Sequence, residues 1–153
     1  MVDIELDDSN GFTGLDRFLT NYGAALDREY SAAAGTAGEI VRGWLEDYTP
    51  RRSGVTATSW RVIAFGRNDY EISNTNEPII TFLTEGTRGH DIYGHPWLHW
   101  TDDDGFDHFA MHVWIPPREG IDIVGQALDA ADPELDALWD AAEDAADRSV
   151  GFE

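Results

Sequence analysis

The sequence predicts an α+β domain in which one four-stranded antiparallel sheet packs against N-terminal and C-terminal helices. Two observations carry this prediction. Apolar residues recur at helical spacing in residues 14–48 and 121–148, and they alternate between faces across much of residues 56–115. With 153 residues, of which 42% are hydrophobic, the chain is long enough for one domain with a core of ordinary size.

The N-terminal part of the chain predicts amphipathic helix. Thr13 has the side chain of an N-cap, and residues 14–33 follow it with an apolar stripe. Gly35 and Gly38 favour a break before the stripe resumes, so the sequence leaves open whether one bent helix or two are present. Thr49-Pro50 predicts the end of the helical region.

The middle of the chain predicts two hairpins separated by a short helix and a loop. Pro78 suits the first turn of this helix and Gly86 its end, because glycine adopts a left-handed conformation without a Cβ clash. Residues 88–96 predict an irregular loop, and residues 102–105 (DDDG) a hairpin turn. The four predicted strands are residues 56–65, 70–73, 97–101 and 106–115. In the last strand, one face carries Phe109, Met111 and Val113, and the other carries His108, Ala110, His112 and Trp114.

The C-terminal part predicts two helices. One of about ten residues begins near Ile121, and Asp132-Pro133 starts a separate acidic one, with aspartate as N-cap and proline at the first position. We therefore expect a flexible extension over residues 1–12, a domain over residues 13–131 and an acidic C-terminal helix over residues 132–153. The stripe of this last helix is expected to dock on a neighbouring subunit, through Leu135, Leu138 and Trp139.

Charge is the strongest signal in the composition. Thirty acidic residues face ten basic ones, all arginine, for a net charge of −20. Such a chain repels itself in dilute salt, whereas at molar salt the Debye length falls to roughly 3 Å. The composition resembles that of proteins from haloarchaea or their viruses. Only Arg51-Arg52 pairs two cations, so binding of nucleic acid through a basic patch is not expected.

The sequence also bears on location and redox chemistry. Cysteine is absent, which excludes disulfides and thiolate metal sites. No apolar run reaches membrane-spanning length, and the first residues lack the basic region of a signal peptide. We therefore expect the protein to be made and used in the cytoplasm, or to be packaged from there.

The histidines offer a competing hypothesis. All five lie between His90 and His112, and this segment could serve a small metal-binding protein or a metallohydrolase. His95/His99 and His108/His112 each have the i, i+4 spacing of helical zinc sites. Both segments are predicted to be largely extended, however, and on a strand residues i and i+4 lie about 13 Å apart, too far to share one metal ion. A mixed site of His99 and His108 across a hairpin remains open. The DDDG turn does not fit a calcium loop, because Trp100 would occupy its first ligand position.

Three separated pieces of sequence resemble one family. The first is Thr49-Pro50, Ser53-Gly54 and Ser59-Trp60; the second is Tyr70 with Glu85-Gly86-Thr87; the third is Pro116-Pro117 with residues 121–130. Their order and spacing are similar to those of tailed-phage tail-component proteins, which include neck, tail-completion and head–tail connector ring proteins. The likeness covers roughly residues 14–131 and predicts motif positions at Pro50, Gly54, Ser59, Trp60, Tyr70, Glu85, Gly86 and Thr87.

This resemblance implies a structural virion protein that is not an enzyme and needs no cofactor, metal or catalytic residue. It implies a ring of identical subunits, usually six-fold, at the head–tail junction. A connector or head-closure protein would lie on one side, a tail terminator or tail tube protein on the other, and DNA would pass through the lumen without specific binding. Besides the C-terminal stripe, the candidate interface residues are Arg88, His90, His95, Asp102, Asp103 and Asp104. An acidic interaction module or DNA mimic is a further alternative.

Overall fold

The structure, a computed structural model, describes residues 13–151 and confirms the α+β class. Residues 1–12, where an extension is predicted, and residues 152–153 lie outside the described residues. The elements in chain order are α1 (Thr13–Tyr48), a 3-10 turn (Ala57–Ser59), β1 (Trp60–Ala64), β2 (Tyr70–Asn74), α2 (Glu77–Glu85), β3 (His90–Thr101), β4 (Asp107–Ile115) and α3 (Ile123–Val150).

The predicted four-stranded sheet is wrong. The strands form two separate antiparallel hairpins, β1–β2 and β3–β4. Alternating residues identify a strand but do not identify the strand edge with which it pairs, which depends on contacts distant in sequence. The chain divides into two compact units, Met1–Thr75 with Val124–Glu153, and Asn76–Ile123. This division differs from the predicted boundary between residues 131 and 132, which falls inside α3.

Helix α1 is a single helix through both glycines at which a break was considered. The β1–β2 hairpin packs on α1 at these positions. A Cβ added at Gly38 would lie 2.9 Å from Val62 Cγ1, and one added at Gly35 would lie 3.2 Å from the Tyr70 hydroxyl oxygen. The missing side chains therefore let strand and helix approach closely, and this packing offsets the weak helix propensity of glycine.

Helix α3 is also continuous, so the predicted break at Asp132-Pro133 is wrong. Proline removes one hydrogen bond from the helix interior, but contacts with α1 hold the turns that follow it. Trp44 Nε1 donates to Glu134 Oε1 at 3.1 Å, and the Tyr30 and Trp139 rings meet edge to face at 5.9 Å. The inward stripe of α3 is alanine-rich and runs at i, i+3/i+4 spacing through Ala127, Ala131, Leu135, Leu138, Ala142 and Ala146.

The predicted loop over residues 88–96 is wrong, because β3 begins at His90. Strands β3 and β4 pair from His90↔Ile115 to Tyr93↔His112, and again from Leu98↔Ala110 onwards. Between these stretches, residues 94–97 stand opposite Met111 alone. This bulge interrupts the two-residue alternation and hides the strand from a sequence pattern. No helix within residues 13–151 combines the length and the apolar character that a membrane crossing needs.

Candidate assembly interface

The base of the β3–β4 hairpin is held by close backbone packing. Gly86 ends α2 with φ 80°, and its N–H donates to the Phe82 carbonyl. Thr87 and Arg118 exchange two backbone hydrogen bonds of 2.9 Å each, and Ile121 N donates to Leu83 O at 2.8 Å. These bonds join the end of α2 to the chain that leaves β4, so the hairpin projects from a defined base.

Glycine is required at this base for a second reason. A Cβ at Gly86 would meet the Arg118 carbonyl and would lie 2.7 Å from the Gly120 nitrogen, and a Cβ at Gly120 would meet the Thr84 carbonyl. The Glu85-Gly86-Thr87 motif therefore lies directly against the residues that follow Pro116-Pro117. Two of the three pieces that carry the family resemblance meet here.

Four of the remaining motif residues, Pro50, Gly54, Ser59 and Trp60, lie where α1 ends and β1 begins, whereas Tyr70 starts β2 and faces Gly35 of α1. Trp60 is buried and donates from Nε1 to Thr49 Oγ1 at 2.9 Å, and Thr49 donates in turn to Leu45 O at 2.5 Å. Pro50 follows directly, Gly54 has φ 80°, and Ser59 Oγ donates to Val55 O at 2.6 Å. Each buried polar group of this chain of bonds is satisfied, which locks the strand to the helix end.

The β3–β4 hairpin exposes large apolar side chains on both faces. Register places Phe109 and Met111 on one face and Tyr93 and Trp100 on the other. Phe109 and Tyr93 are 67% and 66% exposed. The other exposed large apolar side chains of residues 90–115 are Ile92, Trp97, Trp100, Phe106, Met111 and Trp114. Patches of this kind mark interaction surfaces.

Three histidines of the hairpin each bond a carboxylate and pack against an aromatic ring. His108 Nε2 lies 2.7 Å from Asp102 Oδ2, and its ring is 5.3 Å from that of Trp100. His99 bonds Asp107 at 3.1 Å and stacks on Phe109, with 4.6 Å between the ring centroids.

The third set of histidine, carboxylate and aromatic ring joins β3 to β4 nearer the base of the hairpin. His112 bonds Asp91 and packs on Tyr93, with 4.8 Å between the ring centroids. The three groups therefore cross between β3 and β4 along much of the hairpin.

The hairpin turn is fixed by its own carboxylates. Asp102 Oδ1 accepts the N–H groups of Asp104 and Phe106, at 3.1 and 2.9 Å. The bond to His108, followed by the Phe106 N–H, lowers the pKa of Asp102. The Thr101 hydroxyl, followed by His99, lowers the pKa of Asp107. Both carboxyls therefore stay ionised to lower pH than usual, which keeps the turn negatively charged.

The predicted interface residues fall in different settings. Asp103 and Asp104 are exposed at the turn, and Asp102 is partly exposed beside them. Arg88, His90 and His95 are exposed along the hairpin and its base, and His90 Nδ1 is 3.0 Å from Arg88 O. On α3, Leu135 and Leu138 are half-buried and Trp139 packs on Tyr30 of the same chain. The C-terminal stripe thus has a partner within its own unit.

The geometry does not assemble the metal site considered across the hairpin. His99 and His108 pair with neighbouring residues, Phe109 and Trp100, and so lie on opposite faces of the hairpin, which rules out the mixed site. Among residues 13–151, no three potential ligands cluster closely enough to hold a metal ion.

No family model matches the chain, and no curated protein or solved structure is significantly similar to it.

Sequence reasoning missed the Asp91–His112 bond, because Asp91 fell in a segment read as loop. Residues 90–93 (HDIY) pair with β4 on the far side of the bulge but show no alternation of polar and apolar residues, so the sequence gives no signal for this part of β3. It also missed the close approach at Gly35 and Gly38, which a helical glycine pair facing a strand can indicate.

Proposed function

We propose that this protein is a structural virion protein, one subunit of an oligomeric ring at the head–tail junction of a tailed haloarchaeal virus. The order of its motifs supports the proposal, as does the contact between Glu85-Gly86-Thr87 and the segment after Pro116-Pro117. The acidic, lysine-free composition supports a protein that works at high salt.

The observation that carries the proposal is the shallow core of the unit Asn76–Ile123. Within this unit, which the structure describes completely, only Ile80 and Ile123 are buried hydrophobic residues, while the hairpin exposes aromatic side chains on both faces. An isolated two-stranded hairpin is marginally stable in water. A partner chain that covers the hairpin would supply the missing burial, and this suits a subunit whose working state is an assembly.

The partners follow from this position. The subunit would contact its own copies within the ring, a connector or head-closure protein on the head side, and a tail terminator or tail tube protein on the tail side. DNA would pass through the lumen, and carboxylates facing it would repel the phosphate backbone and prevent sticking.

Immunogold electron microscopy with an antibody to this chain, on virus particles from an infected haloarchaeal culture, tests the proposal. We expect label at the head–tail junction. Label along the whole tail would indicate a tube protein instead. Because a neck ring can be covered in intact particles, disrupted and fractionated virions are probed as well, and absence of the chain from them would refute the proposal.

A further inference from the structure

The outer edge of β4, on the side away from β3, is the longest uninterrupted strand edge between residues 13 and 151. Within these residues β4 pairs with β3 alone, and its nine residues include no proline. The edge of β3 is broken by residues 94–97, where Pro96 has no N–H to donate. Strands β1 and β2 are five residues long. An open edge of this kind is a template for a further strand.

The backbone groups at the outer edge belong to residues with apolar side chains. Asp102 N donates to Phe106 O at 3.0 Å, so the Phe106 carbonyl points to the β3 side of the hairpin. Because consecutive residues of a strand turn their N–H and C=O groups to opposite edges, those of Phe109, Met111 and Val113 point away from β3. The side chains of these three residues share one face, and Phe109 and Met111 are 67% and 62% exposed. A docking strand would meet both hydrogen-bonding groups and an apolar face.

One segment of the chain has the sequence of such a strand. Residues 2–7 read VDIELD, in which Val2, Ile4 and Leu6 alternate with carboxylates. This is the two-residue period of a strand with one apolar face and one polar face. The segment lies outside the described residues, so this prediction comes from its sequence.

We propose that residues 2–7 of one copy of the chain add as a third strand to the outer edge of β4 in a neighbouring copy. In the antiparallel arrangement, Ile4 would lie opposite Met111, and the apolar residues on either side of Ile4 would lie opposite Phe109 and Val113. The apolar face of the hairpin would then continue across three strands, and backbone hydrogen bonds would supply the affinity. The inference rests on the proposed function and deepens it, because it names the contact that joins neighbouring subunits.

The unit Asn76–Ile123, which contains β4, is attached to the chain before it near the end of α1. Thr75, the last residue before this unit, donates from its N–H to Ser59 O at 3.0 Å. The next residue after Ser59 is Trp60, which donates to Thr49, directly after α1. The attachment point is therefore close to the C-terminal end of the helix.

Residues 2–7 are tethered at the opposite end of this helix, which favours a neighbouring copy as the acceptor. Helix α1 has 36 residues and is about 54 Å long. Residues 8–12, which lead to Thr13, reach about 20 Å when extended. The segment thus starts far from the attachment point of its own hairpin. Donation of a strand from one subunit to the next is a heterologous contact, which closes into a ring when the rotation permits.

The carboxylates of the segment suit an outermost strand. Asp3, Glu5 and Asp7 would project from the face opposite the apolar one and stay in water. Charged side chains on an edge strand limit further strand addition, so we expect one strand to dock on each hairpin. At molar salt the Debye length is roughly 3 Å, which screens the repulsion between these carboxylates and a chain of net charge −20.

Disulfide trapping at molar salt tests the proposal, because the chain has no cysteine of its own. In the proposed register Glu5 lies opposite Ala110. A chain with Glu5→Cys and a chain with Ala110→Cys, carrying tags of different mass, are mixed and treated with a mild oxidant. We expect a covalent dimer of the two chains. Asp136→Cys on α3, at an exposed position, replaces Ala110→Cys as the matched control and should give little of this dimer.

Self-association measured by sedimentation equilibrium gives a second test. Ile4→Asp breaks the apolar face of the segment and should associate at least about tenfold more weakly than the unchanged chain. Ile4→Val keeps that face and should associate nearly as strongly. The amides of Phe109, Met111 and Val113 should be protected from hydrogen exchange in the assembly of the unchanged chain, and Ile4→Asp should lose this protection.

The other occupants of the β4 edge give different results. A disulfide that forms within a single chain carrying both Glu5→Cys and Ala110→Cys, in dilute protein, would show that the segment pairs with its own β4 and would overturn donation between copies. Preferential linkage of two Ala110→Cys chains would show that two β4 edges pair with each other and would also overturn it.

Failure of the strand and failure of the proposed function are distinguishable. If Ile4→Asp associates as strongly as the unchanged chain, the copies are joined by other surfaces, and the ring itself would remain. A chain that stays monomeric at every concentration overturns the strand donation even where virion labelling supports the location at the head–tail junction.

Discussion

Replacing Gly86 by alanine tests whether the base of the hairpin is held as the structure indicates. Gly86 has φ 80° and ψ −173°, a region essentially restricted to glycine, where other residues pay roughly 1–3 kcal/mol. The new Cβ would also meet the Arg118 carbonyl and lie 2.7 Å from the Gly120 nitrogen. These are backbone atoms that cannot rotate away, so crowding adds roughly 1–3 kcal/mol. We expect a total loss of about 4 kcal/mol.

Gly105→Ala is the matched control. Gly105 has φ 85°, but a Cβ there would meet no atom within 4 Å. Its substitution therefore carries the conformational cost alone, about 1–2 kcal/mol. A larger loss for Gly86→Ala than for Gly105→Ala therefore reports the packing at the base together with the added strain of ψ −173°.

Chemical denaturation at molar salt, followed by tryptophan fluorescence, measures the two free energies of unfolding. Hydrogen exchange at the Thr87 and Arg118 amides, each of which donates to the other residue's carbonyl across the base, reports on the same region directly. The reasoning is refuted if Gly86→Ala costs no more than Gly105→Ala, or if exchange at both amides is unchanged.

Three further predictions concern the packing of α1, the turn at Asp102 and the covering of the β3–β4 hairpin. In α1, Gly43→Ala should stabilise the protein by about 0.5–1 kcal/mol through helix propensity, because its Cβ would meet no atom within 4 Å. Gly38→Ala should not show this gain, because its Cβ would lie 2.9 Å from Val62 Cγ1. Equal stabilisation of the two variants in thermal unfolding would contradict the packing of β1 on α1. The bond to His108 lowers the pKa of Asp102, so its stabilisation is present above the unfolded value near 4 and is lost as pH falls through the folded one. Protection of the hairpin amides against hydrogen exchange should therefore fall at acid pH in the unchanged protein, and this fall should be smaller in Asp102→Asn. An equal fall in both proteins would contradict the prediction. Amides of β3 and β4 should exchange faster in the free subunit than in the assembled ring, and equal rates would mean that the hairpin is not covered.

The unit Asn76–Ile123 buries few hydrophobic residues of its own, so its stability is expected to depend on assembly. A hairpin that exposes aromatic residues on both faces gains stability when a partner covers it, so folding and assembly of this unit are expected to be coupled. Its own cross-strand bonds, such as that of His112 with Asp91, hold the two strands in register without a partner.

Several features could be predicted from the sequence because they depend on a few neighbouring residues. Thr49-Pro50 does end α1, and α2 does end at Gly86, since proline and glycine restrict or release the local backbone. The turn at residues 102–105 and the two faces of β4 are also confirmed, because a glycine turn and the alternation of side chains along a strand are both local. The α+β class follows from these elements together.

Tertiary structure decided the rest, because burial and pairing join residues that are distant in sequence. Local propensity favoured breaks at Gly38 and Pro133, but packing of α1 on β1 and of α3 on α1 keeps both helices continuous. The same residues that predicted one sheet form two hairpins, since alternation does not choose a partner edge. The carboxylate partners of His99, His108 and His112 likewise appear only when β3 and β4 are paired in register, because a hydrogen bond depends on distances that the chain acquires on folding.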